Sequence, residues 1–377
     1  MDVLDVTEKI KESINDDNKQ DLEQLATEFK RNHFPNVLSK SKQFREKYAT
    51  DGSLVRTLFM IESASHAQIG EIKSAAKILE TLYQDSIEKT ADDLILLSEL
   101  AFMSDFKLSR RIITQAVRQM EDDRETDHIK FARAYLVLGE TEENLEKLIR
   151  AIKYYKHALT HFQENDRQND YMILFLHFKL GVLHSTIQKS DEAIHYLEKT
   201  IQLSNGDHKD HEDIKINSMV SIAKTYGSRD ENELAFPYLE KALAILESSV
   251  KSGTMVHAEA LTEMAFYYFD LSKLTEAVEY YERALKIYHR LPTYSARKIG
   301  MIYMQYAYCL EHKKQADYSR AGRSYEKAIE QLEKINDREL IENALADVIS
   351  FFNATNNANK KRYYENKFVE LTNAINS

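Results

Sequence analysis

The densest group of potential ligand atoms in this sequence lies at residues 207–213, which have the sequence DHKDHED. Two imidazoles and four carboxylates in one short segment could hold a divalent cation. A lysine interrupts the segment, however, and its spacing matches no recognised metal motif. A solvated connection between helices is therefore the preferred interpretation, and the sequence predicts neither a metal site nor a cofactor.

Residues that could perform covalent catalysis are scarce. The single cysteine, Cys309, excludes an intrachain disulfide and every multi-cysteine metal site, and packing is its expected role. The phosphate-binding motifs G-x-x-x-x-G-K-S/T and G-x-G-x-x-G do not occur, and neither do H-E-x-x-H and G-x-S-x-G. The sequence therefore predicts a protein that is not an enzyme.

Charge and hydropathy exclude several further classes. A formal net charge of −10 argues against general nucleic-acid binding, which depends on clustered lysine and arginine. The charged first twenty residues contain no apolar segment resembling a signal peptide. No apolar run approaches the roughly 18 residues that span a membrane. We therefore expect a cytoplasmic protein without membrane contact.

A helical hairpin is the element that must position any binding residue. Only three prolines and nine glycines interrupt the 377 residues, which favours an all-α fold. Residues 261–288, LTEMAFYYFDLSKLTEAVEYYERALKIY, predict two amphipathic helices joined by a short turn. Small residues such as Ala265 and Ala277 let the helices approach closely, and the aromatic rings of Tyr268 and Tyr281 fill the space beside them.

This hairpin recurs at a fixed spacing. Each of its helices carries a small residue at one place, and both places recur every 42 residues. In the second helices these residues are Ser109, Ala151, Ala193, Ala235 and Ala277. In the first helices they are Gly139, Gly181, Ala223, Ala265 and Ala307. A longer turn at 312–318 displaces the next second helix by two residues, to Ala321. The sequence therefore predicts a repeat array.

The ends of the chain carry the repeat pattern only weakly. Residues 1–52 have the order of a helical hairpin without its signature, and we expect them to form an N-terminal helical cap or bundle. Residues 53–335 form the predicted repeat array. Residues 336–377 form a predicted C-terminal capping helix pair, whose polar last helix suits a face in contact with water. No proline- or glycine-rich linker separates the array from its C-terminal cap.

This arrangement of small and aromatic residues resembles the tetratricopeptide repeat, and its best copy is LTEMAFYYFDLSKLTEAVEYYERAL. The usual repeat of this family is shorter. The 42-residue form resembles kinesin light chains and the bacterial peptide-pheromone receptors of the Rap type. The resemblance implies a right-handed superhelical solenoid in which the first helices line a concave groove.

The groove implied by this resemblance is the predicted ligand-binding site. Repeat positions counted from the small residue of each first helix identify the side chains that are expected to face the groove. These are Phe175, Phe178, Lys179, Val182, Asn217, Val220, Ser221, Lys224, Glu259, Thr262, Glu263, Phe266, Met304, Gln305 and Tyr308. Aromatic and methionine side chains offer apolar pockets, and the polar side chains can hydrogen-bond an extended peptide. In the alternative interpretation the phenylalanines only pack against neighbouring helices.

The sequence departs from the Rap-type pattern inside this groove. Rap-type receptors tend to hold asparagines at the sixth position of the first helix, where this chain has Lys179, Ser221, Glu263 and Gln305. Asn217 is the one amide at a nearby place. The glutamates in the groove favour a partly cationic ligand.

The sequence predicts a regulator whose groove binds a short signalling peptide and which thereby controls a protein partner. Two alternatives stay open. One is a passive scaffold that docks a partner segment. The other is a Rap-type response-regulator phosphatase, whose N-terminal bundle inserts a glutamine; Gln24 and Gln43 are the comparable residues here. Residues 1–50 show no basic helix-turn-helix, so direct nucleic-acid binding is not expected. A homodimer is compatible with the sequence.

Overall fold

A computed structural model describes residues 3–85, 88–124, 127–164, 170–204 and 211–373, without the side chains of residues 3–7. Within these ranges the chain forms nineteen helices and no strand, which confirms the all-α fold class. The helices are α1 (Val3–Glu12), α2 (Lys19–Lys30), α3 (Phe34–Lys47), α4 (Gly52–Gln68), α5 (Ile72–Gln84), α6 (Ala91–Phe102), α7 (Phe106–Asp122), α8 (His128–Asn144), α9 (Leu148–Glu164), α10 (Asp170–Thr186), α11 (Ser190–Leu203), α12 (Glu212–Gly227), α13 (Asn232–Ser248), α14 (Met255–Asp270), α15 (Leu274–Tyr288), α16 (Ala296–His312), α17 (Tyr318–Leu332), α18 (Arg338–Ala354) and α19 (Ala358–Asn373).

The helices form two compact units, Met1–Ile187 and Gln188–Ser377. In unit 1, α4 packs on α5, α6 on α7 and α8 on α9, while α3 covers α4 and α10 packs on α9. In unit 2, α12 packs on α13, α14 on α15, α16 on α17 and α18 on α19, while α11 packs on α12. Consecutive first helices also touch, as α6 and α8 do in unit 1 and α12 and α14 in unit 2.

The core of each unit is built on the repeated small and large positions. The large residues of the second helices, Tyr155, Leu197, Leu239 and Tyr281, are all fully buried. Gly139, opposite Tyr155, has no room for a larger side chain. A Cβ atom built on Gly139 would lie 2.5 Å from the Tyr155 ring. The Tyr155 hydroxyl donates a 2.6 Å hydrogen bond to Glu143 on the same first helix as Gly139, so the ring is held at both ends.

The turns between first and second helices repeat as regularly as the core. Non-glycine residues with positive φ stand 42 residues apart, at Glu146 (59°), Gln188 (59°), Asp230 (58°) and Ser272 (57°). After Glu146, Asp230 and Ser272, the next amide donates to a carbonyl five residues back, for example Lys273 to Tyr268 at 2.9 Å. This is the Schellman termination of a helix, in which glycine is the favoured left-handed residue.

The predicted long turn between α16 and α17 breaks this regularity. Helix α16 ends with Lys313 in an extended conformation, with a φ of −62° and a ψ of 159°. The turn closes through the Asp317 amide, which donates to the Leu310 carbonyl at 2.8 Å. Asp317 then caps α17 by accepting from the Arg320 amide at 3.0 Å. The two inserted residues therefore replace a left-handed cap by an open loop, and the pairing of the two helices is kept.

Asparagine side chains close the turn between α1 and α2. Helix α1 ends at Glu12. Beyond it, the Asn15 amide donates to the Asn18 side chain at 2.8 Å, and the Asn18 side chain donates to the Ser13 carbonyl at 2.9 Å. Asparagine side chains compete with the helix for backbone groups, which accounts for the end of α1 at this place. The boundaries of the predicted caps at 1–52 and 336–377 stay predictions.

Replacing Gly139 by alanine tests the close approach in unit 1. Overpacking against the Tyr155 ring costs about 1–3 kcal/mol, and alanine recovers about 0.5–1 kcal/mol of helix propensity relative to glycine. We expect Gly139→Ala to lower the free energy of unfolding in urea by about 1–2 kcal/mol. The control is Gly227→Ala, whose added Cβ atom would lie 3.6 Å from its nearest neighbour. Equal stabilities of the two variants would contradict the close packing.

Replacing Ser272 by glycine tests the left-handed cap. A side chain in the left-handed region costs about 1–2 kcal/mol, while glycine loses about 0.5–1 kcal/mol through its more flexible unfolded state. We expect Ser272→Gly to raise the free energy of unfolding by about 0.5–1 kcal/mol. Ser228→Gly is the matched control, because Ser228 has a φ of −68° and gains nothing from glycine. The measurement is urea unfolding of both variants, and a destabilised Ser272→Gly would contradict the argument.

Candidate functional site

Three first helices of unit 2 share a network of charged side chains. The Glu259 carboxylate on α14 accepts from Lys224 on α12 at 2.9 Å and from Lys298 on α16 at 2.7 Å. We call these three residues the lysine–glutamate bridge. Each lysine contacts a different carboxylate oxygen, so one side chain links α12, α14 and α16. The bridge fixes the spacing between successive first helices on the surface where the sequence places the ligand.

The bridge keeps Glu259 charged. Burial opposes ionisation of this side chain, but the positive charges and hydrogen bonds of the two lysines outweigh burial and hold its pKa below the usual range. All three bridge residues are partly exposed, with side-chain exposures of 27–36%. Solvent screens such pairs, so the bridge contributes little to stability. Its main effect is that the two lysines neutralise the charge of Glu259, which is then unavailable to a ligand.

Glu263 lies one turn along α14 from Glu259 and has the opposite environment. Among the described residues none donates a hydrogen bond to it, and none forms an ion pair with it. Burial raises the pKa of Glu263, although the charges of Lys224 and Lys298 act in the other direction. A carboxylate that is costly to ionise and lacks a partner is favourably placed to accept a positive group from outside.

A cavity of about 220 Å³ opens beside Glu263 between α12, α13 and α14. Its lining includes Lys224, Phe266, Tyr267 and Asp270. Asn232 donates to Asp270 at 2.8 Å, and burial raises the pKa of Asp270 as well. The cavity therefore combines carboxylates with aromatic rings, which is the environment of a lysine or arginine side chain.

Aromatic side chains continue this surface onto α16. The rings of Phe269 and Tyr308 meet edge to face at 5.7 Å, and Tyr308 stacks on His312 at 4.1 Å. Tyr308 is 44% exposed, which makes it accessible to a ligand. Gln305, one turn earlier, accepts from the Tyr281 hydroxyl at 3.3 Å.

The predicted site residues of unit 2 divide by accessibility. Lys224, Glu259 and Glu263 lie together, and Phe266 lines the same cavity. Val220, Thr262 and Met304 are buried, and thus offer almost no surface to a ligand. Asn217 and Ser221 are partly exposed on α12. The Asn217 amide already donates to the Asp213 carbonyl of its own helix at 2.8 Å, which leaves one N–H for a ligand.

The predicted site residues of unit 1 lie on α10. Phe175, Phe178, Lys179 and Val182 are all partly buried. Lys179 donates to Glu143 on α8 at 2.7 Å, and its ammonium lies 6.0 Å from the centre of the Phe175 ring. Unit 1 thus also links consecutive first helices through a lysine and a glutamate, as unit 2 does through Glu259.

Sequence reasoning did not identify Lys298 as a site residue. On α16 the repeat count selects Met304, Gln305 and Tyr308, and Lys298 lies almost two turns before Met304. Its long side chain reaches back to α14 from there. Residues 207–210 of the DHKDHED segment lie outside the described part of the chain. His211, the fifth residue of the segment, is buried immediately before α12.

Comparison with protein families identifies the repeats. Tetratricopeptide-repeat models match residues 132–160 and 257–291. These ranges cover most of the hairpins α8–α9 and α14–α15, and the second range includes the best copy of the pattern in the sequence. The tetratricopeptide type of the repeat is therefore confirmed.

Similarity to three known proteins confirms the resemblance to Rap-type proteins. The chain is 27% identical over 148 residues to response regulator aspartate phosphatase E of Bacillus subtilis (strain 168), a match that covers 38% of this chain and 37% of that protein. The apo form of RapI has a TM-score of 0.58 at 16% identity, covering 85% of this chain and 98% of that one. The apo form of the quorum sensor NprR from B. thuringiensis has a TM-score of 0.57 at 13% identity, covering 95% and 99%.

At these identities the two structures establish the fold. The sequence match spans well under half of the phosphatase, so activity and partners do not follow from it. No helix in the described ranges has the length and apolar character that a membrane crossing requires.

Proposed function

Starting from a tetratricopeptide-repeat chain with the fold of Rap-type proteins, we propose that this protein is a regulator that binds a short, basic signalling peptide on the first helices of unit 2 and thereby controls a protein partner. The observation that supports this most directly is Glu263, a carboxylate without a partner among the residues that the structure describes, beside a cavity lined by aromatic and acidic side chains. A lysine or arginine side chain of the peptide would occupy that cavity.

The difference between Glu259 and Glu263 is the reason for proposing a positively charged ligand. Glu259 already has two lysine partners, whereas Glu263 has none among the described residues. A cation entering the cavity would neutralise Glu263 at a place where burial makes its charge costly. Hydrogen bonds that involve a charged group contribute about 1.5–3 kcal/mol. An acidic ligand would instead meet Glu263 and Asp270.

The remaining accessible residues suit the rest of a peptide. Asn217 keeps one amide N–H for a backbone carbonyl, and Tyr308 offers an exposed ring to an apolar side chain. Because α12, α14 and α16 follow one another, a peptide lying across them would contact all three. Such a ligand would favour one spacing of the first helices, and this is how binding would be communicated to a protein partner.

Peptides carrying a tryptophan reporter test this proposal directly, because the chain contains no tryptophan. We expect some basic hexapeptides to change the reporter's emission on binding, and acidic peptides of equal length to leave it unchanged. Glu263→Gln should weaken the binding of a basic peptide about tenfold or more, from the loss of one charge-assisted contact. The control is Glu279→Gln on α15, an exposed glutamate outside the cavity, which should bind like the parent chain.

The same titration gives a pH dependence. The pKa of Glu263 lies above its usual range in the free protein, and a bound cation lowers it, so binding releases a proton. Affinity for a basic peptide should therefore fall as the pH is lowered from 7 towards 5, and the Glu263→Gln variant should lose this dependence. Binding that is insensitive to Glu263 and to pH would contradict the proposal.

A second candidate function is dephosphorylation of a response regulator, which the match to aspartate phosphatase E favours. In the Rap-type mechanism a glutamine of the N-terminal helices orients the attacking water. Gln24 on α2 and Gln43 on α3 are both exposed, as such a role requires. The two helices are joined through Asp21, which accepts from Lys47 at 2.7 Å and from Tyr48 at 2.8 Å.

This candidate predicts loss of phosphate from a phosphorylated receiver domain incubated with the full chain. If Gln24 or Gln43 orients the water, its replacement by alanine should slow release about 100-fold or more. Gln68→Ala, an exposed glutamine on α4, is the control and should retain activity. Phosphate release is followed in panels of receiver domains. A rate equal to spontaneous hydrolysis with every domain would contradict the phosphatase and leave the peptide-binding proposal unaffected.

A further inference from the structure

Three potential metal ligands converge at the end of the α8–α9 hairpin in unit 1. The Nδ1 atom of His128 lies 3.1 Å from Nδ1 of His161 and 3.0 Å from Oε2 of Glu164. The Nδ1 atom of His161 lies 3.9 Å from the same carboxylate oxygen. The three side chains are 46%, 23% and 51% exposed, so an ion in solution can reach them.

The separations match those of ligands around one ion. Zinc binds imidazole nitrogen and carboxylate oxygen at about 2.0–2.2 Å in a tetrahedron, which places neighbouring ligand atoms about 3.4 Å apart. The three observed separations fall on both sides of this value. The remaining corner of the tetrahedron would be open to water, as in sites with three protein ligands.

Local structure holds the ligands in place. His128 is the first residue of α8, after the N-cap Asp127, and His161 and Glu164 share one face in the last turn of α9. The His161 ring lies nearly parallel to the Phe131 ring at 5.1 Å and to the Tyr135 ring at 5.7 Å.

We propose that His128, His161 and Glu164 form a binding site for a divalent transition metal of the zinc class. Two imidazoles and one carboxylate suit Zn²⁺, Ni²⁺ or Cu²⁺, whereas Mg²⁺ and Ca²⁺ prefer oxygen ligands alone. The ion would join the first turn of α8 to the last turn of α9. It would therefore close the hairpin at the end opposite the α8–α9 turn, independently of the peptide site in unit 2.

The competing explanation is a shared proton. A protonated His128 could donate to Glu164, and one imidazole could donate to the other, with no metal involved. This arrangement needs the same geometry but predicts no selective response to transition metals.

Titration of the chelator-treated full chain with ZnCl₂ separates the two explanations. We expect one equivalent of Zn²⁺ to bind by calorimetry and to raise the melting temperature, while MgCl₂ does neither. His128→Gln and Glu164→Gln each remove one ligand from an exposed position, and each should weaken Zn²⁺ binding by at least about tenfold. The control His195→Gln alters an exposed helix histidine of unit 2 and should bind as the parent chain does.

Circular dichroism of each variant checks that it folds like the parent chain. The proposal is overturned if the parent chain binds no Zn²⁺ at micromolar concentration, or if His128→Gln and Glu164→Gln bind it as tightly as the parent.

Discussion

The close crossing of two helices at a small residue is the constraint on which the rest of this structure depends. In the α8–α9 hairpin, Gly139 lies against the buried ring of Tyr155 at a distance that excludes even a methyl group. Because the hairpin cannot bury its other face alone, the next hairpin must cover it. The 42-residue step therefore extends beyond the core to the helix ends, where Glu146 and Ser272 adopt the same left-handed conformation.

This constraint separates the residues that fold the chain from those that give it a function. The buried positions accept only small or closely fitting side chains, so they say little about a ligand. The accessible side chains of the first helices are free to differ between repeats, and they do. In unit 2 they provide the lysine–glutamate bridge, the Glu263 cavity and the exposed ring of Tyr308.

The fold could be predicted from the sequence because the repeated packing of the helices requires the same types of residue at a fixed spacing. Ala265, Ala277 and Tyr281 mark the helices, and the displaced Ala321 marks the longer turn. The left-handed caps could not be predicted in the same way, because residues as different as Glu146 and Ser272 occupy them in place of glycine. Their conformation is imposed by the packing of the helices on either side, which overrides the local preference.

The site could be predicted only in outline. Counting positions selects Lys224, Glu259 and Glu263, which lie on one surface, but it also selects Val220, Thr262 and Met304, which are buried. These three buried residues are 42 residues apart, so the same place of the repeat faces the core in α12, α14 and α16. The count also misses Lys298, because a lysine side chain reaches further than the turn on which it stands.

Glu259 and Glu263 show why the partners of a residue matter more than its type. They are identical residues one turn apart on α14, and the same two lysines act on both. Direct contact with those lysines lowers the pKa of Glu259, while burial without such contact raises that of Glu263. The first carboxylate therefore joins three helices, and the second is the one that we propose binds a ligand. Glu259 and Glu263 are the same residue type in the sequence, and only the contacts between neighbouring repeats distinguish them.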